Sequence, residues 1–139
     1  MAVAMQRSGV IIASDQVASV DNHVLGKPGT AQKAIEQLTL CAGKTVTFYT
    51  GLCVYNTNSN HLQCDVIPFE VTFRPLSHGE IARYIELEQP LDCAGSFKSE
   101  GLGISLFESM RGDDPNALVG LPLIALCTML RNEGINPLA

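Results

Sequence analysis

Val10-Ile11-Ile12-Ala13-Ser14-Asp15-Gln16-Val17 is the stretch that decides the fold. Its first four residues are apolar and partly β-branched, the pattern of a buried strand. The strand is expected to end at Ala13, which places Asp15 at its carboxyl end, where ligands gather in open α/β sheets. An aspartate after a strand can equally well just begin a turn. Working outward, Val17 to Val20 and Val24-Leu25 flank Asp21-Asn22-His23, a tight hairpin turn. Gly26-Lys27-Pro28-Gly29 then forms a stiff loop displaying one lysine. Thr30 can N-cap a helix with Ala31, Ala34, Ile35 and Leu38 at helical spacing, closed by Gly43. Residues 44–56 and 61–74 are rich in Val, Thr, Phe and Tyr around the polar turn Asn56 to Asn60. They read as a long antiparallel hairpin, with Gly51 and Pro68 at bulges or edge positions. Ser77-His78-Gly79-Glu80 is a capping box that opens a second helix, and Pro90 ends it. A strand at Ile104 to Phe107, a polar turn from Arg111 to Asn116 and a final helix over Leu118 to Leu130 complete the chain, with Gly134 as the stop. This order implies one mixed α/β domain over residues 1–139, a twisted sheet flanked by helices.

Composition agrees. A chain of 139 residues with 46% hydrophobic and 17% charged residues is a single globular domain. The longest apolar runs, such as Leu121 to Leu126, are too short to span a bilayer. No charged leader followed by a long apolar stretch opens the chain, so the expected compartment is the cytoplasm and no membrane partner is expected. Five cysteines at 41, 53, 64, 93 and 127 are odd in number and contain no Cys-x-x-Cys spacing. Buried thiols in a reducing compartment are expected, not a disulfide framework or a zinc site. His23, His61 and His78 are scattered in turn-like contexts. The net charge of −5, with nine Lys and Arg and no basic run, argues against long nucleic acid as a partner. A small phosphorylated ligand remains compatible, because a divalent cation can neutralise it locally.

The richest chemistry lies in Cys93-Ala94-Gly95-Ser96-Phe97-Lys98-Ser99-Glu100-Gly101-Leu102-Gly103. Lys98 and Glu100 are two residues apart, so in an extended segment their side chains point the same way. Such a pair suits a ligand with both negative charge and hydrogen-bond donors; a surface turn with a solvated ion pair is the plainer reading. Lys27 could aim a point charge at phosphate oxygens or be an ordinary solvated lysine. Asp113-Asp114 could bind a cation, though paired acids in a turn usually face water.

Six segments occur in a telling order: Ser14-Asp15-Gln16-Val17, Leu25-Gly26-Lys27-Pro28, Val46-Thr47-Phe48-Tyr49-Thr50-Gly51, Phe73-Arg74-Pro75-Leu76-Ser77, Cys93 to Gly101, and Asn116-Ala117-Leu118-Val119-Gly120-Leu121-Pro122-Leu123. Collinear and correctly spaced, they resemble the Maf family of nucleoside triphosphate pyrophosphatases over residues 10–138, with Met1 to Gly9 unmatched. Gln16 after the aspartate and Ser-Glu-Gly at 99–101 resemble the 7-methyl-GTP pyrophosphatase branch. A carboxylate only accepts hydrogen bonds, which matches the N1–H and exocyclic amine edge of guanine, and it favours the cationic methylated base.

The resemblance implies a Maf-like fold similar to inosine triphosphate pyrophosphatases, with a ligand groove. It implies Asp15 as proton acceptor for a water attacking the α-phosphate, Lys27 and Lys98 as charge stabilisers, and Gln16 and Glu100 as readers of the base. It further implies a divalent cation, magnesium or manganese. The family's N-terminal third, with a Ser-x-Ser-Pro-x-Arg-Arg loop and a metal-linked acidic residue, has no counterpart in the motifs found here, so the metal ligands stay unassigned, with Asp15 as a candidate. A missing strand and helix would expose apolar surface and a sheet edge. A homodimer that completes the site is compatible with this reading. The alternative is a catalytically impaired remnant acting only as a nucleotide-binding or oligomerisation module.

Overall fold

The computed structural model describes residues 9–98 and 100–138. Met1 to Ser8, most of the start that carries none of the motifs, and Ser99 of the Ser-Glu-Gly motif lie outside the described residues. Five strands form one sheet: β1 (Val10–Val20), β2 (His23–Leu25), β3 (Thr45–Asn56), β4 (His61–Phe73) and β5 (Phe107–Arg111). Their spatial order is β2-β1-β3-β4-β5, and every pairing among the described residues is antiparallel. Three helices, α1 (Ala31–Cys41), α2 (His78–Glu88) and α3 (Leu123–Asn132), complete an α/β domain. Among the described residues no helix is long and apolar enough to cross a membrane.

Local chemistry sets most of these elements. Asp21 and Asn22 take φ of 48° and 65°, the left-handed pair that a tight β1–β2 hairpin needs. Thr30 Oγ1 accepts the Lys33 N–H and starts α1. Ser77 and Glu80 close the expected capping box on α2, each side chain taking the other's backbone N–H at 3.1 Å. Pro68 pairs with Tyr49 on β3, and β5 joins β4 only from Glu70 onward. Proline thus occupies the part of β4 with no second neighbour among the described strands.

Four expectations need correcting. β1 does not end at Ala13: Ser14, Asp15 and Gln16 pair with Leu52, Gly51 and Thr50, so the ladder with the long β3 carries the strand through its polar centre. Asp15 is therefore mid-strand, and in an antiparallel sheet the strand-end rule does not apply to it. Gly51 sits in regular register with no bulge. Leu102–Leu106 coils as a 3₁₀ turn, and the strand begins at Phe107. Gly103 lets that turn close, since its N–H donates to Lys98 O at 2.9 Å and a Cβ there would lie 2.2 Å from the same oxygen. The last helix starts at Leu123 because Gly120 takes φ 111° and Pro122 is its N-cap; Pro115–Ala117 makes a separate 3₁₀ turn before it.

The cysteines also differ from expectation. Hairpin register sets Cys53 opposite Cys64, and the two form a disulfide. A separation of 11 residues gives no hint of this in the sequence; only the register brings them face to face. Cys41 is a buried free thiol, its pKa pushed up to about 12 by burial.

All three helices cover one face of the sheet. Val46, Phe48, Thr50, Leu52 and Val54 of β3 point to that face by strand alternation and are all buried. They contribute to two apolar clusters. One gathers Val46, Phe48 and Phe73 with Leu38 of α1 and Ile81 of α2. The other joins Leu52 and Val54 to Leu126 and Met129 of α3. Thr50 lies between them. On the opposite face Val17, Tyr49, Leu62 and Val66 are 42% to 59% exposed. Val10–Val17 of β1 has no strand on its outer side among the described residues.

Candidate active site

The gap between the two apolar clusters opens as a cleft of about 250 Å³. Asp15, Gln16, Lys27, Lys98 and Glu100 all line it. Five residues spread over 86 positions of sequence, from Asp15 to Glu100, are thus brought to one place.

Each reaches the cleft by a different device. Asp15 is exposed, and its Oδ1 accepts the Gln16 N–H at 2.9 Å. Lys27 rides on the loop after β2, where Pro28 is buried and the Gly29 N–H donates to Leu91 O at 2.8 Å. Lys98 follows Phe97, which is sunk in the core edge-on to Phe48, Phe73 and Phe107 at 4.9–5.5 Å. Anchoring Phe97 inward fixes where the chain emerges at Lys98. The Lys98 N–H donates to Tyr84 Oη of α2 at 2.8 Å, and burial pushes the Tyr84 hydroxyl pKa up, keeping it protonated. Farther along, Glu88 Oε1 accepts the Leu102 N–H at 2.7 Å. Tyr84 and Glu88 are four residues apart on α2 and hold the two ends of the loop that carries Glu100.

The opposite wall, Leu118 to Leu121, hangs from the sheet by its carbonyls. Ser14 Oγ donates to Gly120 O at 3.0 Å, and Thr50 Oγ1 donates to Ala117 O at 3.0 Å. Gln16 Nε2 donates to Ala117 O at 2.8 Å, Leu118 O at 3.2 Å and Thr50 Oγ1 at 3.1 Å. The amide nitrogen of Gln16 therefore serves the wall. This bears on its expected role as a base reader, because its donor end is turned toward protein acceptors.

Asp114 departs from the sequence reading. Asp113 is exposed, but Asp114 is only 3% exposed and holds the far end of this wall. Its Oδ1 accepts from the backbone and side-chain nitrogens of Asn116, and its Oδ2 accepts the Ile124 N–H at 2.8 Å. Burial works to raise its pKa, but these hydrogen bonds together hold it below the ordinary carboxylate value. A cation-binding role for this aspartate is replaced by a capping one. His61 is not isolated either: its Nδ1 contacts Glu133 Oε2 beyond the C-terminal end of α3.

The Maf-like protein family model matches residues 1–133. The chain belongs to the Maf family. Over 131 residues it is 61% identical to a 7-methyl-GTP pyrophosphatase of Idiomarina loihiensis, an alignment that takes in 94% of this chain. The chain covers 66% of that relative's length, slightly under two thirds.

For a Maf protein, the contributors that sequence reasoning missed are instructive. Asp92 and Cys93 also line the cleft, and burial followed by the Asp92 charge raises the Cys93 thiol pKa, keeping it a protonated lining group. Ser14, Thr50 and Tyr84 carry no signal beyond their place inside or beside matching segments, since each looks like an ordinary strand or helix residue. No group of three or more metal-ligating His, Cys, Asp or Glu side chains gathers among the described residues.

Proposed function

We propose that this cleft hydrolyses 7-methyl-GTP, or a closely related modified nucleotide, to the monophosphate and pyrophosphate. One observation carries the reading. Asp15, Lys27, Lys98 and Glu100 line a single cleft, in a chain 61% identical to a 7-methyl-GTP pyrophosphatase. Asp15 takes a proton from a water as its oxygen bonds to the α-phosphorus. The bond from that phosphorus to the bridging oxygen then breaks, and pyrophosphate leaves with the electron pair. Lys27 and Lys98 stabilise charge on the phosphate oxygens, so most of the rate gain comes from positioning and electrostatics. Glu100 accepts from the N1–H and exocyclic amine of guanine and favours its cationic, methylated form. Gln16 acts on specificity through the Leu118–Leu121 wall that it holds.

A magnesium or manganese ion fits this donor set as a substrate-borne ion. Magnesium keeps several waters and takes one or two carboxylates plus substrate phosphates, and among the cleft's carboxylates we assign Asp15 to share it. When bound, it would neutralise phosphate charge and lower the pKa of a coordinated water. The cytoplasm is the compartment that goes with a free nucleotide substrate; the facing Cys53 and Cys64 would there meet a reducing pool.

The edge of β1, open among the described residues, and the exposed Val17, Tyr49, Leu62 and Val66 favour a second reading, a nucleotide-binding or oligomerising module without turnover. Pyrophosphate release from 7-methyl-GTP with magnesium or manganese separates the two. Release that Asp15→Asn cuts by about 100-fold or more supports hydrolysis. Glu100→Gln should narrow the preference for 7-methyl-GTP over pyrimidine triphosphates. Nucleotide binding with no release would leave only the second reading, and unchanged relative rates in Glu100→Gln would remove the base-reading role.

A further inference from the structure

We propose that Gln37 is a positioning residue that braces the two lysine loops and so sets the phosphate-binding geometry of the cleft. Gln37 lies in the middle of α1, away from every motif in the sequence, and does not itself line the cleft. Its amide works in both directions. Nε2 donates to Gly26 O at 3.1 Å, the carbonyl just before Lys27. Oε1 accepts from Ser96 Oγ, two residues before Lys98. One side chain therefore ties together the loops that carry the two cations.

The partner residues are built for this. Ser96 is fully buried and holds φ 67°, a left-handed conformation costly for a residue with a Cβ. Gly95, at φ 76°, precedes it in the same region. A buried hydroxyl needs a partner, and Gln37 supplies the acceptor. The Gly29–Leu91 backbone bond is a second tie from the Lys27 loop to the segment leading into Lys98. A lysine is a flexible point charge, so two of them act on one polyphosphate at full strength only if their loops are held in register. A rigid helix provides that reference.

This rests on the proposed function only in taking Lys27 and Lys98 as phosphate ligands, and its test needs no turnover. The probe is inorganic tripolyphosphate, with binding to the full chain followed by calorimetry. Gln37→Met keeps the volume and removes both bonds. It is expected to weaken binding about fivefold, the effect of roughly one net hydrogen bond. In a Lys27→Met background the same change should cost less than twofold, because a brace acts only through the lysine it positions. Ser96→Ala removes one bond and should show the same coupling to Lys98→Met, which decides the matter if Gln37→Met does not fold. Equal losses in both backgrounds, no loss at all, or a parent chain that does not bind tripolyphosphate would overturn the proposal. Coupled binding without hydrolysis of 7-methyl-GTP would uphold the brace and reject the activity.

Discussion

Asp114 caps two elements at once, the 3₁₀ turn at Pro115–Ala117 through Asn116 and the first turn of α3 through Ile124. It thereby fixes both ends of the segment that walls the cleft. Asp114→Ala leaves two backbone N–H groups unsatisfied beside that wall, and about 1–2 kcal/mol of stability should be lost in urea denaturation. The pH dependence has a definite sign. Hydrogen bonding holds the folded-state pKa below its ordinary 3.8, so the stabilisation is present above that value and lost as pH falls through the depressed one. Asp114→Asn, which cannot titrate, should flatten that part of the acid-stability curve; an unchanged curve would rule out the cap as its source. In sequence, Asp113-Asp114 offered no way to choose which acid turns inward. What decides it is Ile124, ten residues away, whose N–H becomes available only once Gly120 and Pro122 delay the start of α3. The gathering of Asp15, Lys27, Lys98 and Glu100 at one cleft is legible in the sequence because each sits inside a segment with family spacing.

Past the last turn of α3, Glu133 gathers contacts from three strand residues. His61 Nδ1 contacts its Oε2, Gln63 Nε2 donates to Oε2 at 2.7 Å, and Asn56 Nδ2 donates to Oε1 at 3.0 Å. The β3–β4 hairpin is thus fastened to the helix by polar contacts beside the apolar cluster that Val54 and Met129 share. Its contact with His61, opposed by burial and aided by Asn56 and Gln63, depresses the Glu133 pKa below 4.5. The linkage again runs toward acid: the fastening holds above the ordinary carboxylate range and is released as pH falls through the lowered value. Glu133→Gln should lower the protection of the hairpin amides against hydrogen exchange at neutral pH and flatten this part of the acid-stability curve, with acid unfolding setting in at the same or a higher pH. If both observables match the parent chain, the lock has no energetic role. Strand alternation and turn residues announce the hairpin, and Thr30 and Ser77 announce two helix starts. Glu133 could not be foreseen as a fastening because its partners come from 70 or more residues away. The length of β1 is hidden for a related reason: Ser14, Asp15 and Gln16 look like a strand terminus until a 12-residue neighbour supplies their ladder.

Across the whole molecule, a polar belt of Ser14, Gln16 and Thr50 runs over β1 and β3 between the two apolar clusters, which among the described residues meet only through Ile67 of β4, and the cleft opens above the belt. Hydrophobic patterning cannot reveal this division, because a buried threonine in Thr45-Val46-Thr47-Phe48-Tyr49-Thr50 reads like any β-former. Thr50 is fully buried and is the belt's centre, accepting from Gln16 and donating to Ala117 O. Thr50→Val is nearly isosteric and would join the two clusters into one continuous apolar surface. If burial alone governed the fold, the chain should gain stability. The hydrogen bonding argues the opposite outcome: Thr50's bonds to Gln16 and Ala117 O are lost, Gln16 still donates to Ala117 O and Leu118 O, and about 1 kcal/mol should be lost. The wall at Leu118–Leu121 would also loosen, so nucleotide affinity should fall further than in an equally destabilised variant of the α3 cluster such as Met129→Ala. Equal affinity in the two variants would mean that the belt supports the fold without shaping the cleft; greater stability in Thr50→Val would mean that the two clusters gain more from joining than the belt contributes.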